Sequence, residues 1–423
     1  LLGWDRQQVR AWATSTEAQF ATWANDPWEI DAGRTLSLLG LTLQALGGWF
    51  LNGEALAIPH WLPRQGARWN TRLQVIESDR LETPPHLLHR SNIRGGIRTD
   101  RYGAPLYYYI RSTHPGDRWP LTGPADQAAY RRIPAHTAWG RRRVLHLHDK
   151  ERTGQSRGKP LVTAIMREFR MASRYTRTEL QAAIVNSLIA AFLKSDMPPD
   201  VAAGLFNSSD DYDEYWTGQV NKWKPGLKGG AVIPLPPTGT IEGFQPNRPN
   251  NAFEAFMLSV LRNIAAGLNI PYELLAKDFS RTNYSSARAT LLEAWRYFQG
   301  RRRWIQDYWL MPIKDLWLEE AVNGAVVAAP GYYANRYAYG RCSWIMAGRG
   351  WVDPSKEADA AGKRLGHNIT TLRQECAEQG LDYEEVLEQR AEELELIRGL
   401  GIPVAETPSP EPTTAREEEA IAA

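Results

Sequence analysis

The sequence predicts an α+β protein built around one long central helix. The first indication is a series of segments, spread from the N-terminus to residue 398, whose apolar residues recur at helical spacing. The second is a block over residues 61–150 in which Gly and Pro turns separate short runs rich in Val, Ile and Tyr, a pattern typical of strands. The third is size, because 423 residues with 43% hydrophobic content can bury a sizeable core.

Residues 1–60 are expected to be mostly helical. Asp5 can begin a first helix that runs to about Trp23, and a second begins near Asp31 and ends near Leu46, before the pair Gly47–Gly48. Strands follow in residues 61–150. The four candidates are Arg72–Glu77, Gly95–Thr99, Leu106–Ile110 and Arg143–Leu147.

The middle of the chain returns to helix and then becomes irregular. Pro160 suits the first turn of a helix that continues to Lys194, because proline has no N–H to leave unpaired there. A short helix is expected over Asp210–Asn221, before a Gly- and Pro-rich block from Lys224 to Pro249. The strand candidates in that block are Ala231–Leu235 and Thr240–Phe244.

Two helices with a loop between them form the most informative stretch. Ala252–Leu268 would span roughly 25 Å, and Ser285–Val322 roughly 55 Å, at the usual rise per residue. Gly300 and Pro312 are the expected kink points of the longer helix. The connecting segment, Ile270–Tyr284, is polar and expected to be irregular. Loops of that length within compact domains are usually functional or disordered.

The C-terminal part is predicted to be helical and then disordered. Asp353-Pro354-Ser355 begins the helical region, and Gly399 with Pro403 ends it. The tail Val404–Ala423 is acidic, Pro-rich and of low complexity, and we expect it to be disordered.

Composition restricts the possible functions. The formal net charge is only +2, from 50 basic and 48 acidic residues, which disfavours tight sequence-specific DNA binding but not loose passage of DNA. No apolar run is long enough for a membrane span, and there is no signal peptide. Cys342 and Cys376 form no disulfide framework or zinc pattern, which fits folding in a reducing cytoplasm. The chain starts at Leu1 rather than Met, so an N-terminal piece is expected to be missing or removed.

Catalytic signals are weak. Residues 153–160, TGQSRGKP, resemble a phosphate-binding loop, but only three residues separate Gly154 from Gly158, and Pro160 stands where a hydroxyl should hold Mg²⁺. His146 and His148 would share one face of a strand, yet no third metal ligand is apparent. The acidic residues Asp210, Asp211, Asp213 and Glu214 favour a solvated helix start over a two-metal site. We therefore expect no enzymatic activity, no metal and no cofactor.

Basic residues cluster at three places. Arg167, Arg170, Arg174 and Arg177 lie three or four residues apart and share one helix face. They could contact DNA phosphates, pair with carboxylates of a neighbouring subunit or lie in solvent. Arg301, Arg302 and Arg303 leave the same choice open, whereas Arg141-Arg142-Arg143 is expected to be solvated.

Several blocks of the chain resemble the lambda-type portal proteins of tailed bacteriophages. Two weaker blocks are Arg157–Pro160 and Trp351–Pro354 with its following helix. The specific blocks are Asn247–Asn250, Ile264–Leu275, Lys277–Ser280, Asn283–Arg288, Glu293–Trp295 and Leu316–Glu320.

The resemblance implies a portal fold with wing, stem, clip and crown regions, assembled as a ring of usually twelve subunits at one capsid vertex of the virion, after assembly in the host cytoplasm. It implies the following regions: 1–209 wing, 210–223 first stem helix, 224–250 clip, 251–269 second stem helix, 270–284 tunnel loop, 285–354 long wing helix with its following segment, 355–403 crown and 404–423 acidic tail.

It also implies partners and site residues. The ring would conduct double-stranded DNA without sequence preference during packaging and ejection. It would contact the large terminase subunit, head-completion or adaptor proteins, and the major capsid and scaffold proteins. Lys224, Lys228, Pro234 and Pro236 would dock partners in the clip. The tunnel-loop residues would be Lys277, Asp278, Arg281, Asn283 and Tyr284.

Two other functions stay open at this point. One is a nucleic-acid-processing enzyme, a nuclease or an NTP-dependent translocase, with its site at Gly154–Lys159. The other is a monomeric DNA-binding adaptor.

Overall fold

The computed structural model describes residues 3–116, 130–188, 192–195, 239–242, 252–348, 350 and 353–403. Within these residues the chain is a mixed α+β protein, mostly helical with small antiparallel sheets, which confirms the predicted fold class at that level. The predicted elements Asp210–Asn221 and Ala231–Leu235 and the tail Val404–Ala423 lie outside the described residues.

The helices of the described residues occupy both ends of the chain and its centre. They are α1 (Arg6–Ala24), α2 (Pro27–Ile30), α3 (Leu38–Asn52), α4 (Met166–Leu188), α5 (Ala252–Gly267), α6 (Tyr272–Ala276), α7 (Tyr284–Ile305), α8 (Met311–Asn323), α9 (Arg336–Tyr339), α10 (Pro354–Gly366), α11 (Leu372–Glu378) and α12 (Tyr383–Gly399). Asp5 caps α1 and Asp353 caps α10, each by accepting a backbone N–H, as the sequence predicts. The π-helical segment Gln306–Leu310 joins α7 to α8, so the predicted long helix is confirmed over nearly its whole length.

The strands are β1 (Glu54–Trp61), β2 (Thr71–Ile76), β3 (Ile93–Arg94), β4 (Ile97–Thr99), β5 (Pro105–Arg111), β6 (Tyr130–Pro134), β7 (Leu145–His148), β8 (Phe192–Ser195) and β9 (Gly239–Glu242). They form antiparallel sheets in the orders β2-β1-β7, β3-β4-β5-β6 and β8-β9. The four strand candidates of residues 61–150 are confirmed within a few residues, as is the one near Thr240.

The second N-terminal helix differs from its prediction at both ends. Asp31 does not begin it, because its carboxylate accepts backbone N–H groups of a turn, including that of Thr35 at 2.8 Å. Ser37 caps α3 instead. The helix continues through the glycine pair because Gly48 lies against β1, where an added Cβ would stand 3.2 Å from the Glu54 carbonyl oxygen. Gly53, with φ +88°, ends it.

Three further predictions need correction. The sequence does not predict β1, whose apolar run is buried at the centre of its sheet. The helix after Pro160 begins with a 3₁₀ turn, ends by Leu188 and gives way to β8 before Lys194. The long helix is continuous across Gly300, and its irregularity is the π segment just before Pro312. Proline lacks an N–H, and its ring displaces the carbonyl one turn earlier.

The main core surrounds α8. Trp309 and Trp317 are fully buried there with residues from α1, α3 and the β2-β1-β7 sheet. The carboxylate of Glu320 accepts the backbone N–H groups of Asn70 at 2.7 Å and Thr71 at 2.8 Å, which fastens α8 to the start of β2. Arg141, expected in solvent, instead pairs with buried Glu319 at 2.9 Å. A buried carboxylate needs such a partner, which explains why Arg141 does not lie in solvent.

The C-terminal helices pack lightly on this core. No residue of α12 is buried. Arg10 of α1 pairs with Glu384 at 3.0 Å and with Glu388. An open cavity of about 1010 Å³ lies between α1 and the start of α12.

Candidate functional site

The loop between α5 and α7 is held on one side by a pair of packed helices. Helix α4 packs on α5 through Tyr175, whose ring centroid lies 5.5 Å from that of Phe253 and 4.5 Å from that of Phe256. Ile165, just before α4, is buried against the other end of α5. An added Cβ on Gly267 would clash with Ile165, so the helices approach closely only because this position carries no side chain.

The loop is more ordered than the sequence predicts, since α6 occupies its first half. Lys277 ends α6 in the left-handed region, with φ +53°, and its side chain is exposed. Asp278 accepts hydrogen bonds from the Ser280 hydroxyl at 2.6 Å, the Ser280 N–H at 3.0 Å and the Tyr272 hydroxyl at 3.0 Å. The hydrogen bonds from Ser280, followed by that from Tyr272, lower the pKa of Asp278. Asp278 therefore shapes the loop.

Arg281 is tied to the far end of α5. Its Nη2 lies 2.7 Å from Oε1 of Glu254, in the first turn of that helix, and both side chains are largely exposed, at 58% and 80%. The two ends of a helix of this length lie more than about 20 Å apart. The loop therefore folds back along α5 instead of extending beyond its end.

The end of the loop starts the next helix. Asn283 accepts the N–H of Ser286 at 2.8 Å and so caps α7. Tyr284 is the first residue of α7 and is 52% exposed. Of the five tunnel-loop residues, Lys277 and Arg281 thus present exposed cations, while Asp278 and Asn283 hold the backbone. Their contact with DNA stays a prediction.

The sequence does not single out Glu254. It is the acidic residue in the first turn of α5, a position that the helix dipole favours. That local signal is present in the sequence, but the pairing with Arg281, 27 positions later, is not.

All four arginines of α4 are exposed, namely Arg167, Arg170, Arg174 and Arg177. As their spacing predicts, these four residues share one face of α4, and that face lies away from the side on which Tyr175 meets α5. Exposed apolar side chains lie beside them, including Phe169 at 49% and Leu180 at 62%. Whether these arginines contact DNA or a neighbouring subunit stays a prediction.

The arginines of α7 have different environments. Arg301 pairs with Asp149 at 2.6 Å and lies over the rings of Trp49 and Trp304, so it fastens α7 to the body. Burial lowers its pKa, but hydrogen bonds to Asp149 and Tyr297 outweigh burial and raise it. Arg302 donates to the Ala347 carbonyl at 2.7 Å and lies 4.3 Å from the Trp295 ring centroid.

Arg303 is exposed. It is therefore the member of this triplet whose position suits a contact with DNA or with another subunit. The clip residues Lys224, Lys228, Pro234 and Pro236 lie outside the described residues.

The candidate phosphate-binding loop has a structural role. Arg157 donates to Glu54 Oε1 at 2.6 Å and to the carbonyl oxygens of Leu81 at 2.6 Å and Gly95 at 2.8 Å. The N–H of Gly158 donates to the other Glu54 oxygen at 3.1 Å. These groups point into the protein instead of cradling a phosphate, so the geometry contradicts the nucleotide hypothesis. The side chain of Lys159 pairs with Glu151 at 2.6 Å.

His146 and His148 share a strand face as predicted, with ring centroids 4.1 Å apart. Burial would raise the pKa of Glu54, but hydrogen bonds from His146 and Arg157 outweigh it and hold the pKa at about 2. Burial and the neighbouring His146 lower the pKa of His148 to about 4. Among the residues that the structure describes, no three His, Cys, Asp or Glu side chains are placed to hold a metal ion. No helix in the same residues is long and apolar enough to cross a membrane.

Similarity to known proteins identifies the family to which this chain belongs. The family model "Phage portal protein, lambda family" matches residues 1–302, well over half of the chain. The chain therefore belongs to the lambda family of phage portal proteins. It is a structural component of the virion and not an enzyme.

Individual relatives agree with this family. The chain is 28% identical to Portal protein B of Escherichia phage lambda, over 95% of this chain and 77% of the relative. It is 29% identical to the Portal protein of Escherichia phage N15, with the same coverage of both chains. A chain in the neck of an empty gene transfer agent particle covers 83% of this chain and 80% of its own length, at 14% identity and a TM-score of 0.43. A TM-score that low adds nothing to the family assignment.

Proposed function

We propose that this portal protein forms a closed ring whose central channel conducts double-stranded DNA into and out of the phage head. Identical subunits joined head to tail close into a ring when the rotation between them permits. The resemblance to portal proteins implies twelve subunits. The loop from Ile270 to Tyr284 forms the narrowest rim of the channel. The observation that carries this proposal is the pair of exposed cations, Lys277 and Arg281, presented between two helices.

The loop chemistry suits a moving duplex. Lys277 and Arg281 attract phosphates without reading sequence, and Tyr284 can touch the backbone. Asp278 and Glu273 limit the net attraction, so the duplex is guided but not held. A formal net charge of +2 for the whole chain agrees with weak binding without sequence preference.

The wing, stem, clip and crown regions keep the positions predicted from the sequence, with one change. We place the first stem helix at α4, because α4 packs on α5 and because β8 and β9, which follow α4 and precede α5, pair with each other. The clip then lies between α4 and α5 and includes the residues predicted for it. Residues up to α4 form the wing together with α7 and α8, and α10 to α12 form the crown.

The partners follow from these regions. The clip faces outward and contacts the large terminase subunit first and head-completion or adaptor proteins later. The wing and crown contact the major capsid and scaffold proteins. The energy for packaging comes from the terminase.

A loop replacement tests this proposal. Residues 277–283 are exchanged for a Gly-Ser segment of equal length, and the control carries Arg101→Ser and Tyr102→Ser in an exposed turn. We expect the loop variant to form rings of unchanged mass by light scattering, while packaged or retained DNA falls in particles. The control should match the wild type in both. Normal DNA retention in the loop variant would contradict the assigned role, and failure of ring assembly would make the loop structural.

A further inference from the structure

The ion pair between Arg281 and Glu254 is a contact that can open and close, and we call it the latch. It joins the tip of the loop to the opposite end of α5, with 2.7 Å between nitrogen and oxygen. Both partners are exposed, so water and salt screen their attraction and the pair contributes little to folding. Such a pair can open and close without unfolding anything around it.

The rest of the loop is tied to itself and, through Arg262, to the second half of α5. Asp278 binds Ser280 and Tyr272, and the guanidinium of Arg262 lies 5.7 Å from the Tyr272 ring centroid. These contacts keep α6 and the turn after it together as one unit. Arg281 is thus the charged contact between that unit and the start of α5.

We propose that Glu254 is a positioning residue that keeps the loop folded along α5 until a DNA phosphate takes its place on Arg281. A guanidinium can bind a carboxylate or a phosphate with the same planar fork of donors, but not both through the same donors at once. DNA in the channel therefore competes with Glu254, and each exchange lets one loop follow the duplex. This inference rests on the proposed function of the loop.

Two single variants separate a latch from a simple structural contact. Glu254→Gln and Arg281→Gln both remove the ion pair. In each, backbone hydrogen exchange over residues 277–283, measured without DNA, should be about two- to five-fold faster, as expected for an exposed pair. Their DNA affinities should change in opposite directions, because Glu254→Gln frees Arg281 and Arg281→Gln removes the phosphate contact. If the pair were only structural, both variants would change the DNA affinity in the same direction.

A matched control removes the effect of charge alone. Glu273→Gln deletes one negative charge from the neighbouring helix α6, and we expect it to leave loop exchange unchanged. Its small gain in DNA affinity should persist when Arg281→Gln is also present. The specific gain from Glu254→Gln should disappear in that background, since the two residues act through one interaction. Affinity is measured by fluorescence anisotropy with a short mixed-sequence DNA duplex and the assembled protein at several salt concentrations.

The results distinguish the latch from the proposed contact between the loop and DNA. If Glu254→Gln leaves loop exchange and DNA affinity unchanged while Arg281→Gln still weakens binding, the latch is wrong and the loop still contacts DNA. If both variants speed exchange and neither changes affinity beyond the Glu273→Gln control, the proposed function of the loop fails, and with it the competition by phosphate. Opposite changes in DNA affinity support both proposals, provided that Arg281→Gln also weakens the salt dependence of binding. The slope of the logarithm of the binding constant against the logarithm of salt concentration should be shallower by about 0.9 for each phosphate that an arginine no longer neutralises.

Discussion

Two loops of this chain carry similar polar and basic residues and use them in opposite ways. In the loop of residues 153–160, Arg157 is directed inward to buried Glu54 and to three backbone carbonyl groups. In the loop of residues 277–283, Arg281 pairs with the exposed carboxylate of Glu254. The difference lies in the burial of the acidic partner, which is 2% exposed for Glu54 and 80% for Glu254. A cation serves the fold where its partner is buried and remains able to bind a ligand where its partner lies in water.

Loss of the buried cation should have the largest effect. Arg157→Ala leaves the buried Glu54 carboxylate with His146 and the Gly158 N–H but without its cationic partner, and we expect the free energy of unfolding to fall by about 3–5 kcal/mol. Urea denaturation followed by tryptophan fluorescence measures it. The matched control is Lys159→Ala, whose pair with Glu151 is half exposed and should contribute less than about 1 kcal/mol. Equal effects from the two variants would mean that burial does not distinguish the cations.

Acid should unfold the protein through the same buried network. The pKa of Glu54 is about 2 when folded, below its usual 4.5, so its stabilisation is complete above pH 4.5 and is lost as the pH falls toward 2. The pKa of His148 is about 4 when folded, below its usual 6.5, so stability begins to decline below pH 6.5 and falls further toward pH 4. For Glu54 the loss amounts to about 3 kcal/mol.

Thermal melts between pH 7 and pH 3 test this prediction. We expect Glu54→Gln to be less stable at pH 7 and to show a shallower decline below pH 4.5. A variant whose melting temperature falls in parallel with the wild type over that range would show that Glu54 is not the titrating group.

A smaller effect concerns the cap between the loop and α7. Asn283→Ala removes the acceptor for the Ser286 N–H and should cost about 1 kcal/mol. Asn283→Asp keeps an acceptor at that position and should remain close to the wild type. Urea denaturation measures both. If the two variants lose the same amount, the side chain has no capping role.

The smallest effect belongs to the exposed cation itself. Arg281→Ala should change the free energy of unfolding by less than about 1 kcal/mol, because its partner Glu254 stays in water when left alone. The same variant should weaken DNA binding, as measured by anisotropy. A loss of stability as large as that of Arg157→Ala would remove the contrast between the two loops.

Much of the helical framework could be predicted from local sequence. Asp5 and Asp353 mark helix starts through cap chemistry that depends only on neighbouring residues, and α12 ends at Gly399, where the sequence predicts its end. The strand β1 could not be predicted, because an apolar run buried on both faces lacks the alternation that identifies a half-buried strand. The sequence predicts irregularity in the long helix at Gly300 and Pro312, and the π segment lies just before Pro312.

The charged pairs of the site could not be predicted at all. Residues far apart in sequence form the pairs Arg281–Glu254, Arg157–Glu54 and Arg141–Glu319, and spacing says nothing about them. The sequence indicated which residues could bind phosphate. Only the packing of the chain distinguishes the cations whose partners are buried from those whose partners are exposed.

The position of the loops in the assembled protein tests the central claim most directly. Electron cryomicroscopy of the purified protein, imaged with and without a DNA duplex, can locate residues 277–283 in every subunit. We predict a ring in which these residues line the narrowest part of a central opening that admits double-stranded DNA. A ring whose loops face its outer surface, or a protein that stays monomeric at high concentration, would contradict the account.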